Sequence, residues 1–65
     1  MNAYEMLGRR NKADKLVAAI RRLDGTAADA RAMTEEDWAN AAKLAGVNIP
    51  SLTTRDLVIK ILEKE

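Results

Sequence analysis

The sequence has no cysteine and no histidine. That removes disulfides and the usual zinc ligand sets, and it leaves no Ser–His or Cys–His pair for nucleophilic catalysis. Phenylalanine is absent, and the aromatics are one tyrosine, Tyr4, and one tryptophan, Trp38. No apolar run approaches the roughly 20 residues of a membrane span, and no signal-peptide core is visible. With cysteine also absent, a cytoplasmic location is expected. Proline occurs once, at Pro50, and glycine three times, at Gly8, Gly25 and Gly46, so helix-breaking points are few.

The 65 residues make one domain, 48% hydrophobic and 32% charged. A domain of this size rarely gains more than about 3–5 kcal/mol from one core without staples. The core must therefore come from helix packing alone, or be completed by a partner subunit, and with so few aromatics it must be aliphatic and alanine-rich. Net charge is +1, too small in itself to select a polyanionic partner.

What the chain does have is a recurring helix-start signal. Thr26-Ala-Ala-Asp29, Thr34-Glu-Glu-Asp37 and Thr53-Thr-Arg-Asp56 all read Thr-x-x-Asp. The hydroxyl can accept from a first-turn N–H, and the acid three residues on can answer toward the cap and favours the positive end of the helix dipole. Asn11-Lys-Ala-Asp14 is a looser version. Met33 with Trp38, and Leu52 with Leu57, have the spacing of a hydrophobic staple around caps at Thr34 and Thr53.

These signals predict a short helix from Ala3 to Leu7 stopping at Gly8, then a main helix from Lys12 to Leu23 ending at Gly25. Ala13, Leu16, Val17, Ile20 and Leu23 form its apolar stripe, with Lys15 and Arg22 opposite. A turn or two follows Thr26. The next helix runs from Glu35 to Ala45, burying Trp38, Ala41, Ala42 and Ala45, with Gly46 as its left-handed stop. Pro50 disfavours helical geometry at Ile49. A last helix from Thr54 to Glu63 presents Leu57, Val58, Ile61 and Leu62 to the core, with Ile59 at the edge. The fold class is all-α: three main helices plus short helical segments, the last two forming a helix–extended loop–helix hairpin crossed by the Lys12–Leu23 helix.

The chemistry-bearing candidates are few. There is no phosphate-binding glycine loop and no nucleophile elbow. Glu35, Glu36 and Asp37 together suggest a cation site, but first-turn acids answering the helix dipole explain them better. No enzymatic function and no cofactor are expected. Arg9, Arg10, Lys12, Lys15, Arg21 and Arg22 give the first third a positive excess, while the rest is acidic on balance. Such a face can hold phosphates, or simply be solvated.

The stretch 34–64 carries a resemblance. Ala42-Lys-Leu-Ala-Gly46-Val47, then Ile49-Pro50-Ser51, then Thr53-Thr-Arg-Asp-Leu57-Val-Ile-Lys-Ile-Leu62 resembles helix–extended loop–helix modules such as the SAP and LEM domains and the N-terminal helical part of transcription terminator Rho. A helix-turn-helix fits less well, since its helices are joined by only 3–4 residues. The resemblance implies DNA or RNA binding through the loop and the start of the second helix, or protein binding. By it, Ser51, Thr53, Thr54, Arg55 and Lys60 are contact candidates. Only one base, Arg55, stands at that helix start, with Asp56 beside it.

The reading that follows is a small non-catalytic nucleic-acid-binding module, in which Arg9, Arg10, Lys12, Lys15 and Arg22 neutralise phosphates and Arg55 with the 49–54 loop adds a second contact. The alternative is a protein-interaction module, an adaptor or small inhibitor, using Ile59 and the loop residues Val47, Ile49 and Leu52. Self-association through such residues would relieve the small-core problem.

Overall fold

A computed structural model describes the backbone of residues 3–64 and the side chains of residues 10–64. Four helices follow in order: α1 Ala3–Arg22, α2 Ala27–Ala32, α3 Glu35–Ala45 and α4 Leu52–Glu63. Long α1 packs across both α3 and α4, and short α2 packs on α4. The extended segment from Val47 to Ser51 joins α3 to α4. The all-α, helix–extended loop–helix architecture is as expected. Among the described residues no helix is long and apolar enough to cross a membrane.

The core is made from one face of each helix. Ala13, Leu16, Val17 and Ile20 of α1 meet Ala30 of α2, Trp38, Ala41 and Ala42 of α3, and Val58 and Leu62 of α4. Leu16 and Val58 are the largest fully enclosed side chains. Truncating either to alanine removes its transfer energy and leaves a cavity, at about 2–5 kcal/mol for a leucine. Alanines at 13, 30, 41 and 42 are the reason so short a chain encloses a tryptophan, because small side chains let helix backbones approach.

Two capping boxes form as expected. Asp29 N–H donates to Thr26 Oγ1 at 3.2 Å, and Thr26 N–H donates to Asp29 Oδ2 at 2.9 Å. The Thr34–Asp37 box closes with both bonds at 3.1 Å. Gly46 ends α3 with φ 73°. Its N–H donates to Lys43, and that of Val47 donates to Ala42 at 3.0 Å, a Schellman ending.

Four expectations need correction. First, α1 is one helix from Ala3 to Arg22 and runs straight through Gly8. A mid-helix glycine costs only about 1 kcal/mol, less than the good helix formers after it recover. Asn11 therefore caps nothing, and Asp14 instead pairs with Arg10 at 3.3 Å. Second, α1 ends at Arg22, one residue short of Leu23, and the left-handed residue in the turn that follows is Asp24, with φ 57°. Gly25 N–H donates to Ile20 O at 2.9 Å, and a Cβ on Gly25 would lie 2.6 Å from Ile20 Cγ2. This glycine answers a close approach. Third, Leu23 lies beyond the helix and is 67% exposed, whereas Ala19 is buried. Fourth, α4 begins at Leu52 with Ser51 as its cap, not Thr53. Thr54 N–H donates to Ser51 Oγ at 3.4 Å. Leu52 is 74% exposed, so no staple to Leu57 forms.

Candidate nucleic-acid interface

The cap at Ser51 decides where the loop candidates lie. With Ser51 as cap, Thr54 turns inward and is 3% exposed, its hydroxyl 3.2 Å from Ser51 Oγ. Ser51 and Thr54 thus satisfy each other and the helix start. Thr53 is exposed.

Arg55 is held on three sides. Its Nε donates to Pro50 O at 3.0 Å, and Nη1 and Nη2 donate to Glu35 Oε1 and Oε2 at 2.6 and 2.9 Å. The guanidinium carbon lies 5.4 Å from the centroid of the Trp38 ring. The side chain is only 13% exposed, against 78% for Glu35. Hydrogen bonding from Arg55 holds the Glu35 carboxyl below its ordinary value, partly opposed by desolvation and aided by the opposite charge. The same bonds raise the Arg55 pKa. Of the five guanidinium N–H groups, three are engaged by α3 and the loop. Arg55 is a structural clasp here, largely enclosed and tied to Glu35 and Pro50.

The α1 candidates are placed differently. Lys15 and Arg22 are exposed and Lys12 is half-buried. Lys15 and Arg22 are seven residues apart, about two turns along one helix face. Between them, Ala18 and Ala19 floor a shallow depression of about 150 Å³, closed by Leu44 and Ala45 of α3. Small residues here leave the two cations standing clear of the surface. None of Lys12, Lys15 and Arg22 makes an ion pair among the described residues. Arg10 is exposed and shared with Asp14. The side chain of Arg9 lies outside the described residues. Lys60 is exposed near the end of α4, away from the α1 row in sequence and without an ion pair among the described residues.

Lys43, exposed in the last turn of α3, is a further cation without an ion pair among the described residues, which composition alone did not single out. Its spacing from Glu36, seven residues back on the same helix, was the available signal. The acidic triplet is dispersed: Glu35 is bound to Arg55, Asp37 closes its capping box, and Glu36 has no partner among the described residues.

Compared with protein-family models, curated proteins and solved structures, the chain gives no significant match.

Proposed function

We propose that the protein is a non-catalytic nucleic-acid-binding module that presents the outer face of α1 to phosphates. The observation carrying this reading is that, among the described residues, Lys15 and Arg22, with Lys12 beside them, have no ion-pair partner on one face, whereas Arg10, Arg31 and Arg55 each meet a carboxylate. Unpaired cations on a rigid helix pay little desolvation and release counterions when they meet a polyanion. Nothing in this row reads base edges, so binding is backbone-directed and tolerant of sequence. The loop and the start of α4 contribute little, because Thr54 is enclosed and Arg55 is clasped.

With two or three phosphates neutralised, affinity for a duplex should fall about 10- to 40-fold between 50 and 200 mM salt. Amide-shift titration with short duplex DNA and with single-stranded RNA, at both salts, tests this. Salt-sensitive shifts along 12–22 that vanish in Lys15→Glu/Arg22→Glu support the reading. No shifts at low salt, or unchanged affinity in that folded variant, overturn it.

A second reading, protein interaction, draws on the loop. Ile49 is 56% exposed, and with Val47 it borders a depression of about 320 Å³. Ile59 is half-buried and packs against the core, so it belongs to the fold rather than to a docking face. A partner lost on Ile49→Glu but retained by the α1 double variant favours this reading.

A further inference from the structure

The outer face of α3 has an order of charge that reverses on itself. Glu36, Asp37, Asn40, Lys43 and Leu44 are all exposed, while Trp38, Ala41 and Ala42 face the core. From its N-terminal to its C-terminal end this face runs acidic, neutral, basic. Asn40 is its midpoint, and Asn40 also borders both grooves that flank the helix. On one flank, Leu23, Met33, Ala41 and Leu44 line a cleft of about 450 Å³ rimmed by Asp29 and Asp37. On the other lie Val47, Ile49 and Lys43.

Glu36 and Lys43 are seven residues apart, so they share one edge of the helix about two turns from each other. Asp37 and Leu44 share the opposite edge in the same way. Neither Glu36 nor Lys43 has an ion-pair partner among the described residues.

From this arrangement we infer that the outer face of α3 is the interface of a symmetric homodimer, with two copies of α3 antiparallel about an axis at Asn40. A two-fold interface must be self-complementary, each residue meeting its reciprocal. Reversing α3 about Asn40 sets Glu36 of one copy against Lys43 of the other, twice. The same operation carries Leu44 of each copy to the Met33–Asp37 end of the cleft on its partner. The exposed Leu23 and Leu44 are thereby covered, and a core without disulfide or metal is enlarged. A second copy is the occupant because the Glu36–Lys43 edge of this face is its own charge complement under the reversal. The inference does not rest on nucleic-acid binding, although Leu44 also borders the depression between Lys15 and Arg22.

Sedimentation equilibrium of the full chain, from about 10 µM to 1 mM, provides the test. The wild type should pass from monomer to dimer within that range. Glu36→Lys and Lys43→Glu should each weaken association about tenfold or more, since each breaks both pairs. The double reversal should return the dissociation constant to within about threefold of wild type, the signature of a direct pair. Both reversals oppose the helix dipole, so a purely structural role would make the double variant worse instead. Leu44→Glu should stay monomeric with unchanged helical circular dichroism. A wild type monomeric throughout, a dimer with no rescue in the double variant, or a dimer indifferent to Leu44→Glu overturns the inference.

Discussion

The guanidinium of Arg55 sits over the ring of Trp38 at 5.4 Å, and in that position it also reaches Glu35 and the carbonyl of Pro50. One side chain of α4 thus touches the first residue of α3, the aromatic centre of the core and the extended loop between the two helices. The close backbone approaches are those of α1 with α3 and α4, and of α2 with α4. The clasp is therefore a direct tie between α3 and α4. A lysine offers a point charge and cannot fork onto a carboxylate while donating sideways to a carbonyl.

Arg55→Lys is expected to cost about 1–2 kcal/mol, from lost charge-assisted hydrogen bonds and the weakened cation–π contact. Arg55→Ala should cost at least as much and uncover one face of the ring. The urea midpoint reads the first effect. Emission from Trp38, the single tryptophan, reads the second as a shift to longer wavelength. An unchanged midpoint in both variants would show that the clasp contributes nothing net.

The same pair predicts a pH dependence. The Glu35 carboxyl is held below its ordinary value of 4.5, chiefly by its hydrogen bonds from Arg55. The folded state therefore binds this proton less readily than the unfolded chain does. Its contribution is fully present above pH 4.5 and is lost as pH falls through the depressed folded value. The stability difference between wild type and Glu35→Gln should be constant from pH 7 to about 5 and close as the solution is acidified further. Urea midpoints of both proteins across that range check it. A difference that persisted undiminished at pH 2 would assign it to something other than this ionisation.

How far the fold was legible depended on how local each signal was. Thr34, Asp37 and Gly46 act within one helical turn of themselves, and α3 has the bounds they predict. The start of α4 was ambiguous because Ser51 and Thr53 are both good caps two residues apart. In the structure Ser51 takes the cap and Arg55 forks onto Glu35, twenty residues away, and no local pattern carries that tertiary contact. Gly8 and Gly25 were read alike as stops. Yet Gly8 lies inside α1 with open space where a Cβ would be, while Gly25 is pressed against Ile20. The site followed the same rule. The Lys15–Arg22 face could be read from helical spacing, whereas the engagement of Arg55 depends on tertiary contacts.

The choice of cap at α4 can be measured directly. Ser51→Ala removes the oxygen that accepts the Thr54 N–H and also the partner of the enclosed Thr54 hydroxyl. The expected loss is about 1 kcal/mol or slightly more. Thr53→Ala alters an exposed residue in the first turn, where alanine is the better helix former, so it should be neutral or stabilising by a few tenths of a kcal/mol, roughly. Thermal melts of the two variants suffice. The reverse order would place the cap at Thr53.

The α1–α2 turn separates two reasons for needing a glycine. If Gly25 served a left-handed backbone, asparagine would be tolerated there better than alanine. The left-handed residue is instead Asp24, and a Cβ at Gly25 meets Ile20 Cγ2 at 2.6 Å and Ile20 O at 3.2 Å. Ile20 is buried in the core, and its branched side chain has little room to turn away. Gly25→Ala and Gly25→Asn should therefore be about equally harmful, at roughly 1–3 kcal/mol. Asp24→Gly relieves the left-handed penalty of a side chain and should be neutral or stabilising by up to about 1 kcal/mol. Unfolding midpoints for the three variants give the answer: asparagine clearly better than alanine at Gly25 would return the requirement to backbone conformation, and equal losses with a tolerant Asp24 would assign it to the packing of Gly25 on Ile20.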